Sequence, residues 1–282
     1  MTIRWGIIGC GDIARKRVAA AIQHDERNEL LAVCRRDAAK LKQFCDDFSV
    51  PRAYKSAGQL MADDEIDAIY IATPVKHHMP QTVAAAEAGK HVLCEKPMAM
   101  NAAECDAMID ACREAGVLLG VAYYRRFYPM VRRMKQLLAE RAIGTPLSVN
   151  VVCSTPLDMT PHDDGYWRVI DEAGGGGSLM DIGSHRINLL LELFGEIAGV
   201  KAICSTVAAK YHAENVASAL FEFESGMHGS LSCLFGTPID PDAFSILRTR
   251  GRLRATPLNR SRLTFDTAHE SHTEHLPPHE NL

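Results

Sequence analysis

The run HVLCEKPMAM (residues 91–100) places two opposite charges and a proline where an apolar segment ends. Its first residues predict a buried strand, after which Glu95, Lys96 and Pro97 follow in succession. A lysine at the mouth of a cleft could polarise an oxygen atom of a ligand or exchange a proton with it. The alternative is a turn in which Lys96 forms a salt bridge with Glu95 or another carboxylate.

A second candidate set lies in GGGGSLMDIGSHRINLLLELFG (residues 174–195). Asp181 and His185 are four residues apart, a spacing that puts both side chains on one face of a helix. Histidine is a natural proton acid and base because its unperturbed pKa lies near neutrality. We therefore interpret His185 as an acid/base and Asp181 as the group that orients it. The alternative is a helix-start cap beside a buried histidine with satisfied hydrogen bonds.

A glycine loop follows the first apolar run. It comprises Gly9, Cys10, Gly11, Asp12, Ile13 and Ala14. In a strand–loop–helix context this Gly-x-Gly-x-x-Ala pattern indicates a dinucleotide site. Gly9 makes the tight turn, Gly11 lets backbone amides approach a pyrophosphate, and Ala14 lets the helix pack close to the strand. The helix N-terminus favours the phosphate charge.

The end of the second predicted strand indicates which dinucleotide binds. An NAD site usually has an acidic residue there, which holds the ribose 2′-hydroxyl. This chain has Arg35 and Arg36 instead, and guanidinium groups favour a 2′-phosphate. We therefore predict NADP(H) in preference to NAD(H). Asp37 is an alternative acidic residue if the register of the strand end differs.

Apolar runs alternate with helical patterns through the first half of the chain, which predicts a doubly wound parallel sheet of the Rossmann type. Ligands of such sheets bind at the carboxyl ends of the strands. The glycine loop, Thr73–Pro74 and Glu95–Pro97 all follow predicted strands, so we expect them to face one crevice. From residue 146 onward, period-two alternation predicts an antiparallel sheet with a hairpin turn at residues 224–226. We expect domains at residues 1–122 and 123–282.

Composition narrows the class of protein. The 282 residues carry a net charge of −4, which suggests neither a nucleic-acid nor a membrane-surface partner. The nine cysteines lie singly, without zinc spacing, so we expect a reducing cytoplasm and no metal. The N-terminus enters a strand-like run directly, and we expect no signal peptide. The histidine-rich end, residues 269–282, predicts a solvated tail.

Several motifs together resemble the glucose–fructose oxidoreductase/inositol dehydrogenase/rhizopine catabolism (Gfo/Idh/MocA) family. The resemblance runs from Ile3 to about Phe235, and its most specific part is AGKHVLCEKP (residues 88–97). The other matching segments are GIIGCGDIA, IATPVKHHMPQTVAAAE, YYRRFYP, YWR and the Asp181–His185 segment. The resemblance implies an N-terminal Rossmann domain and a C-terminal α/β domain. The largely antiparallel open sheet of the second domain would bind substrate, and such a sheet often forms a dimer interface. The resemblance also implies metal-free hydride transfer on sugars, cyclitols and related compounds.

In the first domain the resemblance places Lys96 near the reacting hydroxyl and the nicotinamide. It places Glu95 near the cofactor, and it implies a bond before Pro97 that is often cis. His78 matches a histidine after the third-strand loop, and we include it with Thr73 and Pro74 among the cofactor residues.

In the second domain the resemblance assigns Asp181 and His185 to the substrate site. Trp167 and Arg168 match a pair that can approach the cofactor in some members. In YYRRFYP, Arg125 is our candidate for a further substrate contact, with a solvated helix start as the alternative.

We therefore expect an NADP(H)-dependent dehydrogenase or reductase that acts on the CH–OH groups of a sugar, cyclitol or related cyclic polyol. His185 is the expected proton acid/base, Lys96 polarises the reacting oxygen, and Asp181 orients the imidazole. The alternative is a catalytically lapsed NADP(H)-binding sensor. We expect a homodimer or homotetramer that associates through the C-terminal sheet. Members of the family usually continue beyond the point that corresponds to Leu282, so we expect that the sequence is truncated there.

Overall fold

A computed structural model describes residues 2–141, 143–157, 159–163, 165–258, 260 and 262–278. The chain divides into two compact units between Ala122 and Tyr123. The expected truncation after Leu282 concerns residues outside the described ranges. In the described part of the chain, no helix is long and apolar enough to span a membrane.

The first unit contains a parallel sheet of six strands in the order β3-β2-β1-β4-β5-β6. The strands are β1 (Ile3–Ile8), β2 (Asn28–Cys34), β3 (Arg52–Tyr54), β4 (Ala68–Ile71), β5 (His91–Cys94) and β6 (Leu119–Val121). All four residues of β4 are buried, as expected for a central strand that is covered on both faces. This strand order confirms the predicted doubly wound fold.

Helices cover both faces of this sheet. They are α1 (Ala19–His24), which continues a π-helical turn at Ala14–Val18, and α2 (Ala38–Phe48), α3 (Ala57–Met61), α4 (His78–Glu87) and α5 (Ala102–Glu114). The first two helices contribute to one buried apolar cluster and the other three to a second cluster. The two clusters fix the strand ends, and with them the loops that carry the candidate residues.

The second unit contains an eight-stranded mixed sheet in the order β14-β13-β12-β11-β7-β10-β9-β8. Its strands are β7 (Pro146–Thr155), β8 (Ile197–Ser205), β9 (Val216–Phe223), β10 (His228–Phe235), β11 (Ala243–Arg248), β12 (Gly251–Ala255), β13 (Arg262–Asp266) and β14 (Ser271–His275). Only the pairing of β7 with β10 is parallel, so the expected largely antiparallel sheet is confirmed.

Residues along β9 and β10 alternate between buried and more exposed positions, because one face of the sheet packs on a core. That core includes side chains of α6 (Pro129–Ala139) and α8 (Ser184–Phe194). A short helix, α7 (Asp171–Gly174), precedes the glycine-rich segment. The opposite face of the sheet leaves large apolar side chains exposed, among them Ile203 and Leu220.

The prediction of a solvated tail at residues 269–282 was wrong for the part of the tail that the structure describes. Residues 271–275 form β14, which pairs with β13 at the edge of the sheet. Glu274 in this strand forms a two-bond ion pair with Arg133 of α6. The strand β14 is short, polar and partly exposed, and its sequence lacks the apolar alternation on which strand prediction depends.

Candidate active site

The glycine loop at the end of β1 lies directly against the end of β4. Gly9 has a φ of +96°, and a Cβ atom built on it would lie 2.6 Å from the carbonyl oxygen of Ala72. A side chain at this position is therefore excluded by backbone conformation and by space. Gly11 differs, because a Cβ atom there would meet nothing within 4 Å. Backbone atoms therefore fill the space beside Gly9, whereas the space beside Gly11 is open. A pyrophosphate bound to the loop requires such an open space.

The remaining loop residues begin the helix. Asp12 is exposed, and its carboxylate pairs with the ammonium group of Lys16 at 2.8 Å. Ala14 is fully buried and begins the π-helical turn. This burial agrees with the close packing of helix on strand for which a small residue was expected. Ile13 lies between them with no contact that assigns it a role.

The two arginines after β2 have different surroundings. Arg35 is half-buried and donates a hydrogen bond from Nη1 to the carbonyl oxygen of Cys10 in the glycine loop. Arg36 is exposed. The carboxylate of Asp37 accepts a hydrogen bond from the backbone N–H of Lys40 at 3.0 Å and so caps α2. Of the three charged residues, Arg36 is thus the most accessible to a ligand phosphate.

His78 joins the loops that follow β4 and β5. Its ring is 1% exposed, with Nε2 2.8 Å from the carbonyl oxygen of Thr73 and Nδ1 3.0 Å from that of Pro97. Nδ1 also lies 3.3 Å from the carbonyl oxygen of Met98. Burial lowers the pKa of His78, while the carbonyl contacts act to raise it. The imidazole therefore holds together the two loops that carry Thr73–Pro74 and Lys96–Pro97.

Glu95 is buried directly behind Lys96. Its carboxylate accepts a hydrogen bond from the hydroxyl of Tyr70, a buried residue of β4, and another at 3.0 Å from the backbone N–H of Lys96. The peptide bond between Lys96 and Pro97 is cis, as the resemblance implied. Lys96 itself is half-buried. Glu95 thus fixes the backbone from which the Lys96 side chain extends.

In the second unit, Asp181 and His185 belong to one continuous helical segment. Asp181 lies in a π-helical turn, Leu179–Gly183, that leads into α8 with His185 in its first turn. The expected α-helical spacing is therefore wrong in detail, because a π turn contains more residues than an α turn. Leu189 and Leu190 are fully buried, so one side of α8 faces the core.

Glu214 explains Gly177, the last of the four glycines before this segment. Its carboxylate accepts hydrogen bonds from the backbone N–H groups of Gly177 at 2.7 Å and Leu179 at 2.9 Å. A Cβ atom on Gly177 would lie 1.8 Å from the carbonyl oxygen of Glu214. Gly177 therefore allows the chain of Glu214 to approach and cap the helical segment. No sequence motif marks Glu214, which lies 33 residues beyond Asp181 in the chain.

Aromatic rings surround the imidazole of His185, which is 4% exposed. Tyr124 meets it edge-on at 5.2 Å between ring centroids, and Tyr123 does so at 5.9 Å. The two tyrosines begin the second unit, and Tyr124 is the first residue of a 3-10 turn, Tyr124–Phe127. They restrict the orientation of the ring, as a general acid/base requires.

Arg125 is drawn toward the interior of the second unit. Its Nη1 lies 3.2 Å from Oδ2 of the fully buried Asp242. Trp167 and Arg168 lie in a separate 3-10 turn, Tyr166–Val169, where the guanidinium of Arg168 stacks over the indole ring at 5.0 Å. Within the second unit, Asp181 and His185 lie on one continuous helical segment. The turn that carries Trp167 and Arg168 lies close to that segment, because Tyr166 and Val169 share an apolar cluster with Ile182.

The residues present fit a dinucleotide. Gly9 supplies a turn that only glycine allows, Gly11 leaves open space beside the loop, and Arg36 supplies an accessible cation. These are the groups that would hold the pyrophosphate and a ribose phosphate. Among the described residues, no three His, Cys, Asp or Glu side chains are grouped as metal ligands.

Comparisons with known proteins agree with this geometry. A family model described as an oxidoreductase family with an NAD-binding Rossmann fold (GFO/IDH/MocA) matches residues 3–123. A model of the GFO/IDH/MocA C-terminal domain matches residues 131–254. The chain is 34% identical to D-xylose 1-dehydrogenase (NADP(+)) 2 of Haloferax volcanii, over 90% of this chain and 75% of that protein.

Two solved structures are similar along almost the whole chain. Aldose-aldose oxidoreductase from Caulobacter crescentus, complexed with glycerol, has a TM-score of 0.89 and 27% identity, covering 100% of this chain and 86% of that one. The WlbA dehydrogenase from Bordetella pertussis, in complex with NADH and UDP-GlcNAcA, has a TM-score of 0.86 and 29% identity. That match covers 99% of this chain and 78% of that one.

Proposed function

Because the chain belongs to the GFO/IDH/MocA oxidoreductase family, we propose that it transfers hydride between NADP(H) and a hydroxyl or carbonyl carbon of a sugar-like cyclic polyol. Membership confirms the family resemblance and the expected class of enzyme, an NAD(P)-dependent dehydrogenase or reductase. The substrate class and the preferred dinucleotide are the finer parts of the proposal.

The observation that carries the proposal is the convergence of three loops at the carboxyl edge of the parallel sheet. Gly9 closes the first loop against Ala72, and the imidazole of His78 lies between the second and third loops, with its ring nitrogens within hydrogen-bond distance of the carbonyl oxygens of Thr73 and Pro97. Lys96 extends from the third loop. A dinucleotide on the glycine loop and a reacting group beside Lys96 would therefore share one edge of the sheet.

In the reaction that we propose, one group accepts the substrate proton and a second group stabilises the negative charge that develops. In the direction of oxidation, the O–H bond of the substrate breaks and its proton passes to the imidazole of His185. Lys96 stabilises negative charge that develops on the same oxygen, and Asp181 orients the imidazole. A dinucleotide held at the glycine loop would supply the acceptor for the hydride that leaves the carbon as the carbonyl forms. In reduction each proton and hydride moves the opposite way.

We assign the preference for NADP(H) to Arg36. It is exposed, whereas Arg35 is engaged by the glycine loop and Asp37 caps α2. The similar proteins include one named for NADP(+) and one in complex with NADH, so family membership leaves the preference open. Dissociation constants of NADPH and NADH, measured by fluorescence titration, decide it. The expected result is tighter binding of NADPH, and tighter binding of NADH contradicts the assignment.

Sugars and related cyclic polyols are proposed as substrates because the similar proteins include one named for D-xylose and one named for aldoses. The test follows the absorbance of the nicotinamide with a panel of aldoses, inositols and dihydrodiols. Turnover of at least one panel member is expected. Micromolar binding of NADPH without turnover of any member would favour the alternative, a sensor whose catalytic function has lapsed.

We also propose that the second unit binds the substrate and that copies of the chain associate through its sheet. Ile203 and Leu220 are each more than 60% exposed on the face opposite the core. Exposed apolar area of this kind is typical of an interface. Sedimentation velocity of the wild type and of Ile203→Asp tests the association. A dimer or tetramer that dissociates in the variant is expected, and a wild-type monomer contradicts it.

A further inference from the structure

Asp242 holds two arginines at the centre of the second unit. It is fully buried, lies just before β11, and has a φ of +31°, which is unusual for a residue with a side chain. Its Oδ1 accepts hydrogen bonds from Nε of Arg186 at 3.0 Å and from Nη2 of the same guanidinium. Its Oδ2 accepts one from Arg125 at 3.2 Å. One carboxylate therefore links two separate elements.

Each of these arginines is adjacent in sequence either to the candidate acid/base or to a residue that packs against it. Arg186 follows His185 in the first turn of α8 and also donates to the carbonyl oxygen of Ile182 at 3.2 Å. Arg125 follows Tyr124, whose ring packs edge-on against the imidazole. A displacement of either guanidinium would therefore rotate the helix that carries the imidazole or move the ring beside it.

Stability alone does not explain this arrangement. Two guanidinium groups face one carboxylate, so the group carries a surplus positive charge in the interior. Apolar side chains of similar size commonly stabilise a core at least as well as such buried ion pairs do. What apolar packing does not supply is directional bonds that fix two backbone segments relative to each other.

We infer that Asp242 is a positioning residue that sets the orientation of the His185 imidazole through Arg186 and Arg125. This inference rests on the proposed function, in which His185 transfers the substrate proton. Asp242 acts in it only through the two arginines, and it takes no proton and contacts no substrate itself.

The experiment is a double-mutant cycle on the full chain, with turnover measured on a substrate identified by the panel. Asp242→Asn keeps the size of the side chain and removes its charge. We expect kcat to fall at least tenfold, while the dissociation constant of NADPH stays within twofold. In the His185→Asn background, where residual turnover is followed over hours, Asp242→Asn should then change kcat by less than twofold.

Glu274→Gln is the matched control. It removes the partner of Arg133, a two-bond ion pair of the same unit that does not contact His185. It should leave kcat within twofold of the wild type, even where its melting temperature falls as far as that of Asp242→Asn. Equal effects of the two variants on kcat would overturn the inference, because the ion pair at Asp242 would then act only on stability.

A second substitution covers the case in which Asp242→Asn does not fold. Arg186→Lys retains a positive charge beside Asp242 and loses the forked bonds. It should lower kcat at least fivefold, and that loss should also disappear in the His185→Asn background. A loss that multiplies with that of His185→Asn overturns the inference. If His185→Asn itself turns over at the wild-type rate, the proposed proton transfer fails, and this is a separate result.

Discussion

Replacing His78 with leucine tests whether this residue holds the site together or contacts the cofactor. The substitution is close in size and removes every hydrogen bond of the imidazole, so the carbonyl oxygens of Thr73, Pro97 and Met98 lose their shared partner. A neutral imidazole donates one N–H, and leaving a buried acceptor unsatisfied costs roughly 1–3 kcal/mol. A loss of about 2 kcal/mol in a unit of this size lowers its melting temperature by about 6–10 °C.

Calorimetry without cofactor at pH 7.5 measures this change, and His77→Leu is the matched control. His77 is the neighbouring, less buried histidine, and its substitution should lower the melting temperature by less than about 2 °C. Equal melting temperatures for the two variants would refute the role of His78 as a link between loops. An unchanged melting temperature of His78→Leu together with weaker NADPH binding would instead support direct contact with the cofactor.

Three further predictions concern the first unit. Gly9→Ala should abolish NADPH binding and lower the free energy of unfolding by at least about 2 kcal/mol, because the added Cβ meets the backbone of Ala72. Gly116→Ala is the control in denaturant unfolding, because Gly116 also has a positive φ, +67°, but has open space around it. Its free energy of unfolding should fall by only about 1 kcal/mol. Arg36→Ala should raise the dissociation constant of NADPH about 10–100-fold and that of NADH less than threefold in fluorescence titrations; equal changes would contradict its assignment. Because the pKa of His78 is lowered by burial, the unfolded chain binds the proton first, so stability should fall as pH drops below about 6.5. Chemical denaturation from pH 7.5 to 5 should show a weaker pH dependence in His78→Leu than in the wild type.

The first unit could be predicted from sequence because its signals are local. Continuous apolar runs, glycine-ended helices and the Gly9–Ala14 pattern each lie within about ten residues, and the parallel sheet follows from their alternation. The edge strand β14 of the second unit could not be predicted in this way. It is short and polar, and it is held by hairpin pairing with β13 and by the ion pair of Glu274 with the distant Arg133 rather than by an apolar pattern of its own.

In the candidate site, too, some residues are indicated by local sequence signals and others only by contacts between distant parts of the chain. His185 and Lys96 are proposed from residue type and from the family resemblance. The role of His78 as a link could not be predicted in this way, because the carbonyl oxygens at Pro97 and Met98 lie 19 and 20 residues away. Asp242 was missed for a similar reason, since it is 56 residues from Arg186 and carries no motif. Tertiary hydrogen bonds of this kind become visible only once the fold brings the groups together.

The central claim is that Lys96 and His185 serve one hydride-transfer reaction. Its most direct test is the turnover of Lys96→Ala and of His185→Ala, each saturated with NADPH or NADP⁺, on a substrate that the wild type uses. We predict that kcat falls at least about 100-fold in each variant while NADPH still binds. Wild-type turnover in both variants, with normal NADPH binding, would contradict the claim.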